Sequence, residues 1–406
     1  MTATFEYRVR DRAGRIVEGK LDGDDETLVV RRLREMGYTP ITVTKRESSR
    51  LQADIKIPGL SDRVSLKDVA VFSRQFATMI NSGLSLLRAL AILSEQTENQ
   101  ALADIVGEVR LDVERGTALS TALARHPKAF NRLYISMVRS GEVGGSLDTV
   151  LMRLADTIEN QVELRRKVKS AMTYPVVVFS LVIVIAAAML LFIVPQFAGI
   201  YKELGGTLPL PTRILIALSD FVKSWILGII VVSGIAAWFL RRWARSPQGK
   251  PRWDAMKLRL PVFGLLVRKT ALARFSRTLA ALTRSGVGIL EALDIVAETS
   301  GNEVIATALH DTQRAVKQGD TLARPLEHHE VFPPMVVQMI AVGEETGALD
   351  EMLDKIADFY DSEVEATVDA LTSLIEPLLI VVMGVLVGGM IISLYLPMFR
   401  IINLIK

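Results

Sequence analysis

The chain has 406 residues, half of them hydrophobic, and its formal net charge at pH 7 is only +3. A charge this small gives no bulk electrostatic support for nucleic-acid binding. The chain has no cysteine, which excludes disulfides, thiolate metal sites and cysteine nucleophiles. Its first ten residues lack the apolar core of a signal peptide, so we expect the N-terminus to be cytoplasmic.

Residues 1–48 are predicted to form a small α/β cap. Apolar and polar side chains alternate on both sides of a turn at Asp11–Gly14, which indicates a β-hairpin. A helix from about Asp24 to Met36 and a strand near Ile41–Val43 complete the predicted cap. Residues 49–64 contain a Pro-Gly pair and are predicted to be a linker.

Residues 65–172 are predicted to form a first cytoplasmic helical module. Ser65 and Asp68 have the spacing of a capping box, and the apolar residues that follow recur at helical spacing. Breaks at glycine, asparagine and proline divide the module into about six helices. Ser146 is the expected N-cap of the last helix, which continues towards the membrane.

Three uncharged apolar runs, Pro175–Pro195, Ser224–Leu240 and Leu378–Phe399, predict transmembrane helices at residues 173–195, 223–240 and 375–399. A helix needs about 20 apolar residues to cross the hydrocarbon core, and buried helices of a soluble protein are the alternative. Lysine and arginine cluster before the first run and after the second. The predicted external loop 196–222 has few of them, whereas 241–268 is a basic cytoplasmic linker.

An internal repeat sets the direction of the third run, which charge alone leaves open. Phe72-Ser73-Arg74 recurs as Phe275-Ser276-Arg277, and the Gly-Glu-x-x-Gly motif that begins at Gly141 recurs at Gly343. Residues 269–374 therefore form a second cytoplasmic module, and the third span leads to a short external tail at 400–406. The predicted fold class is a mainly α polytopic membrane protein, with two homologous six-helix cytoplasmic bundles, three transmembrane helices and the α/β cap.

The repeated motif supplies the candidate functional positions. They are Gly141, Glu142, Gly145, Gly343, Glu344 and Gly347. Each glutamate is a weak candidate for binding a divalent cation or a partner protein. The alternative, which we favour, is that each carboxylate accepts hydrogen bonds at the N-terminus of a neighbouring helix. We assign no metal and no cofactor.

Prolines and glycines in or beside the apolar runs predict helix kinks and close helix packing. Pro175 and Pro377 occupy matching positions of the repeat and are predicted to kink their helices at the membrane surface. Gly384 and Gly388 have the small-xxx-small spacing of close helix packing. Their partner is either a second copy of the chain or another span of the same chain.

Other patterns give no support for catalysis. The stretch Gly14–Leu21 fits a phosphate-binding P-loop except at its last position, where Leu21 replaces the required serine or threonine. His328 and His329 adjoin acidic residues but are predicted to lie in an exposed loop. The runs Pro175–Pro195, Ser224–Leu240 and Leu378–Phe399 hold no Asp, Glu, Lys, Arg or His, which disfavours a transporter permease subunit. No catalytic residue is assigned, and the chain is predicted not to be an enzyme.

The strings FSRQFATMINSGLSLLRAL, SGEVGGSLD, VKSAMTYPVVV and FIVPQF together resemble the platform proteins of type IV pilus machines, a PilC-like family that includes the F proteins of type II secretion systems. The resemblance covers essentially the whole chain. It implies an inner-membrane homo-oligomer that contacts a hexameric cytosolic ATPase, a pilin or pseudopilin, and other inner-membrane assembly proteins. The strings favour a pilus platform over a secretion platform. Thr346 stands where the first module has Gly144, so the two modules are expected to present different faces.

Overall fold

The computed structural model describes residues 3–10, 16–23, 26–35, 37–45, 63–203, 208–261 and 263–404. The chain divides into two units, residues 1–63 and residues 64–406.

The first unit is a three-stranded antiparallel sheet with one helix. Its elements in chain order are β1 (Ala3–Arg10), β2 (Ile16–Gly23), α1 (Glu26–Glu35) and β3 (Thr39–Lys45). The strand order is β2-β1-β3, and Val9 pairs with Val17 across the hairpin. Because Ile16–Gly23 is a strand, the P-loop-like stretch does not open a helix. The predicted turn at Asp11–Gly14 and most of the linker 49–64 lie outside the described residues.

The first helical module has the six helices that its sequence predicts. They are α2 (Leu66–Asn81), α3 (Leu86–Gln96), α4 (Gln100–Glu114), α5 (Leu119–Ala124), α6 (Arg132–Gly144) and α7 (Leu147–Ala188). The capping box is present, since Ser65 and Asp68 each accept the other's backbone N–H, at 3.2 and 2.9 Å. Ser146 occupies the N-cap position of α7, but its side chain makes no capping bond.

Aromatic side chains from α2, from α6 and from the turn before α6 form the centre of the first module. The ring centroids of Phe72 and Phe76 lie 5.6 Å apart, and Phe130 lies 4.8 Å from Tyr134. All four side chains are buried. Ring pairs at these distances add favourable quadrupole contacts to the burial of apolar area. The rings of Phe72 and Phe130, whose centroids lie 5.7 Å apart, therefore connect α2 with the turn before α6.

Within the described residues, three helices are long and apolar enough to cross a membrane, by length and composition: Leu147–Ile200, Leu210–Ala244 and Leu349–Phe399. The first contains a π-helical turn at Met189–Ile193, followed by α8 (Val194–Glu203), and the second is α9 (Leu210–Ala244). The hydroxyl of Ser219 donates to the carbonyl of Leu190 inside the π-helical turn. A π-helical turn leaves carbonyls without their usual partner, and a serine on a neighbouring helix satisfies one here.

The predicted external loop 196–222 is wrong in its secondary structure. Helix α8 continues to Glu203 and α9 already begins at Leu210. Pro209 and Pro211 occupy the N-cap and the first turn of α9, where a missing N–H costs nothing, so they do not interrupt the helix. Residues 204–209 separate the two helices in the sequence.

The predicted basic linker 241–268 is also largely helical. It contains the end of α9, all of α10 (Gly249–Arg259) and the start of α11 (Phe263–Arg284). Hydropathy marks where a helix leaves the bilayer, not where it ends. Arg241 and Arg242 continue α9 because cations are favourable in the last turn of a helix.

The second module repeats the first with six helices. After α11 come α12 (Ile289–Thr299), α13 (Glu303–Lys317), α14 (Ala323–Glu327), α15 (Pro334–Thr346) and α16 (Leu349–Leu404). Helices α7 and α16 continue through Pro175 and Pro377, and the predicted kinks stay predictions. A Cβ built on Gly384 or Gly388 meets no atom of the described chain within 4 Å, so these glycines are not packed against the other described spans.

Candidate functional site: two Gly-Glu turns and the contact between the modules

The first Gly-Glu turn is a tight crossing between α6 and α7. Gly145 ends α6 with a positive φ of 64°, the left-handed conformation that glycine adopts without strain. A Cβ built on Gly141 would lie 3.1 Å from the Cα of Leu147 and 3.1 Å from the Cβ of Val150. The Cα of Leu147 is a backbone atom and cannot rotate away, so a glycine is required at position 141 for the close approach of the two helices.

The second turn has the same geometry. Gly347 has a φ of 73°, and a Cβ on Gly343 would lie 3.0 Å from the Cα of Leu349. Thr346, which replaces Gly144, remains in the helix and donates its hydroxyl to the carbonyl of Val342 at 2.7 Å. The double glycine of the first module is therefore not needed for the turn itself.

Both glutamates bind the N-terminus of a short helix in their own module. The Glu142 carboxylate accepts the backbone N–H groups of Leu119 at 2.5 Å and Ser120 at 3.0 Å, in the first turn of α5. The two oxygens of Glu344 accept the N–H of Leu322, just before α14, each at 2.9 Å. A carboxylate is favourable there because the N–H groups have no intrahelical acceptor.

The capping contacts leave little support for a cation at the turns. Both carboxylates already have donors, and no group of three histidine, aspartate or glutamate side chains in the described ranges is arranged to hold a metal ion. Val143, next to Glu142, is 86 % exposed and offers an apolar side chain to solvent. A role for the turn in contacting a partner therefore stays a prediction.

A repeated arginine cluster joins the first and last helices of each module, and sequence reasoning missed it. Arg74 lies 2.5 Å from carboxylate oxygens of both Asp156 and Glu159 on α7. The hydrogen bonds that Arg74 donates to Glu159, and then those to Asp156, raise the pKa of Arg74. Its counterpart Arg277 lies 2.8 Å from Asp358 on α16. The sequence held one signal for this cluster. The Phe-Ser-Arg motif is repeated, and the two long helices carry acidic residues at matching positions.

The two modules contact each other through α6 and α12. The guanidinium of Arg132 makes two ion pairs at 2.7 Å, one with Asp294 and one with Glu298. Nearby, the Ser140 hydroxyl donates to the backbone carbonyl of Ser285. Buried apolar residues of both modules form one continuous cluster. The modules are therefore packed as a single body within residues 64–406.

These features define a polytopic membrane scaffold with a duplicated helical module, in which two long helices run from the modules into the apolar spans. Comparison with protein families matches residues 72–195 and 275–397 to the model described as type II secretion system (T2SS), protein F. Residues 1–44 match the N-terminal domain of the same family. The chain belongs to the type II secretion system protein F family.

Similar proteins cover the chain almost end to end. It is 50 % identical to a type IV pilus assembly protein PilC of Thermus thermophilus over 401 residues, which is 98 % of each chain. It is 42 % identical to the PilC of Myxococcus xanthus, over 100 % of this chain and 96 % of that one. It is 33 % identical to a type II secretion system protein F of Vibrio cholerae over the full length of both.

Proposed function

We propose that this chain is the cytoplasmic-membrane platform protein of a type IV pilus assembly machine. The observation that carries the proposal is the 50 % identity, over nearly all of both chains, to a protein named for type IV pilus assembly. The identity to a protein named for type II secretion is lower, at 33 % over an equal span. A secretion-system platform is the alternative, and a transporter permease subunit is a remote one.

The continuous helices support a mechanical role. Helix α7 has 42 residues and α16 has 56, and each begins in a helical module and ends in an apolar span. At about 1.5 Å per residue, α16 is long enough to reach from its module across the bilayer, and α7 reaches across it together with the π-helical turn and α8 that continue it. A force applied to the modules by a cytosolic hexameric ATPase would therefore move the spans, where pilin or pseudopilin subunits are held.

The platform acts in this proposal without catalysis of its own, as a homo-oligomer beside other inner-membrane assembly proteins. The N-terminus and both modules are cytoplasmic, and the C-terminus is external. The exposed apolar side chain of Val143 makes the first Gly-Glu turn a contact point for the ATPase. The second turn, with Thr346 in place of Gly144, presents a different surface.

Crosslinking in the native cell followed by affinity purification and mass spectrometry tests the proposal. A photo-crosslinking amino acid at Val143 is expected to capture a hexameric ATPase, whereas the same group at exposed Leu111 of the same module serves as the control. A pilin captured from the spans supports a pilus machine, and a pseudopilin supports a secretion machine. Recovery of a solute-binding protein and no ATPase would contradict the platform role.

A further inference from the structure

A cavity between the two modules combines apolar walls with three cationic side chains. Its volume is about 350 Å³, within the range of roughly 300–1,000 Å³ that ligand sites occupy. Leu164, Val168 and Met172 of α7 line one wall, and Leu266 and Val267 of α11 line the other, together with Arg165, Lys169 and Arg274.

The three cations have no carboxylate partner in the described part of the chain. The guanidinium of Arg274 is largely buried, and its one hydrogen bond there goes to the carbonyl of Ser300 at 3.4 Å. Burial, and then the positive charge of Arg165, lower the pKa of Arg274. The nearby carboxylates of Glu163 and Glu365 pair instead with Lys167, at 3.7 and 3.1 Å. A buried cation without a counterion is costly, so the cavity attracts an anion.

The charge of this cavity is not a general property of the repeated module. The positions that correspond to Arg274, Arg165 and Lys169 in the other half of the repeat hold Val71, Thr367 and Leu371. None of these is cationic. The cation set therefore belongs to the groove between α7 and α11 alone and is not needed to fold a module.

The cavity also lies beside the membrane. Its lining on α7 ends at Met172, directly before the apolar stretch predicted to enter the bilayer at residue 173. A ligand in this cavity can place a charged group among the three cations while its apolar chains lie along Leu164, Val168 and Met172. Basic pockets beside transmembrane helices on the cytoplasmic side bind anionic headgroups in this way.

We propose that the groove between α7 and α11 binds an anionic phospholipid, with its headgroup phosphate held by Arg165, Lys169 and Arg274 and its acyl chains along the apolar wall. A phosphate can accept bidentate bonds from a guanidinium and also offset the repulsion between Arg165 and Arg274. A lipid held here joins the first module to the second at the membrane surface. The proposal rests on membrane insertion of the apolar helices and not on the choice between pilus and secretion.

The test measures lipid binding to the full-length, delipidated protein in detergent by native mass spectrometry. The probes are dioleoylphosphatidylglycerol, dioleoylphosphatidylcholine with the same chains and no net charge, and inorganic phosphate. We expect the anionic lipid to bind about tenfold more tightly than the neutral lipid, and inorganic phosphate to bind far more weakly than either. Equal binding of the two lipids would overturn the proposal. Binding of inorganic phosphate as tight as that of the anionic lipid would overturn it too, in favour of a free-anion site.

Matched variants locate the site. Arg165→Gln and Lys169→Gln change exposed side chains and leave the fold intact, and each is expected to weaken binding of the anionic lipid about fivefold. Arg274→Gln is expected to weaken it at least as much. The control is Arg166→Gln, which removes the same charge from the same turn of α7 outside the cavity. A loss in the control equal to that of Arg165→Gln would show nonspecific attraction and overturn the site, without bearing on the platform role.

Discussion

At the scale of single residues, Gly141 and Gly343 determine how closely the last two helices of each module cross. We expect Gly141→Ala and Gly343→Ala each to lower the free energy of unfolding by about 1–3 kcal/mol, because the added methyl group meets backbone. Gly144→Ala is the control, since a Cβ there meets only the Ser146 hydroxyl oxygen, at 3.6 Å. Denaturant unfolding of the detergent-solubilised protein, followed by circular dichroism, measures the difference. Equal effects at Gly141 and Gly144 would contradict a steric role for the turn.

The glutamates next to those glycines are expected to act as helix caps. Glu142→Ala and Glu344→Ala should each cost about 1 kcal/mol of stability, a typical value for loss of a cap. Glu345→Ala, at the exposed neighbouring position, should change stability little. Because capping needs no metal, EDTA should leave the thermal midpoint of the wild-type protein unchanged. A lower midpoint in EDTA that Mg²⁺ or Ca²⁺ restores would instead establish a cation site.

Equivalent serines of the repeat are expected to respond in opposite directions to the same substitution. The Ser73 hydroxyl donates to the carbonyl of Val69 at 2.6 Å and lies 3.3 Å from the hydroxyl of Tyr134, whereas the buried Ser276 hydroxyl has no partner among the described residues. Ser73→Ala should therefore destabilise the protein by about 1 kcal/mol, and Ser276→Ala should stabilise it by a similar amount. Thermal unfolding of the two variants side by side measures both changes in stability. A loss of stability in both would contradict the absence of a hydrogen-bond partner for the Ser276 hydroxyl.

At the scale of whole elements, the sequence predicts more of the fold than of the contacts. Periodicity, capping residues and the repeat were sufficient to predict the six helices of each module and the capping box at Ser65. Hydropathy failed at the ends of α8 and α9, because it detects the bilayer-embedded part of a helix and not its continuation into water. The arginine clusters join residues about 80 positions apart, so they depend on which helices pack together.

The arginine cluster of the second module gives a prediction for the packing of α11 against α16. Arg277 lies 2.6 Å from Asp361, 2.8 Å from Asp358 and 3.8 Å from Asp354. Arg277→Gln removes the cation from Asp358 and Asp361, whereas Asp354 keeps its ion pair with Arg284 at 2.5 Å. We therefore expect a loss of about 1–3 kcal/mol of stability near neutral pH.

Denaturant unfolding of Arg277→Gln near neutral pH measures that loss. Lys355→Gln, on the exposed face of α16 and without an ion pair among the described residues, is the control, and its effect should be small. A loss in Arg277→Gln no larger than that in Lys355→Gln would contradict a stabilising role for this arginine cluster.

At the scale of the whole molecule, the continuous core of the two modules constrains the membrane topology. Modules that share one buried cluster must lie on the same side of the bilayer. The chain between them contains the first two apolar helices, so we expect these helices to cross the bilayer and return. The third span leaves from the second module, and we expect it to end on the opposite side. Packing thus supports the topology that charge bias left open for the third span.

Cysteine accessibility tests that topology directly, because the wild-type chain has no cysteine to give background. We expect a membrane-impermeant maleimide to label Leu210→Cys, and a cysteine appended after Lys406, on the external face of the cytoplasmic membrane. Gln248→Cys, at an exposed position beyond the second span, should react only after that membrane is permeabilised. The unmodified chain is the control for nonspecific labelling. Reaction of Gln248→Cys before permeabilisation would place the modules outside, where a cytosolic ATPase could not reach them.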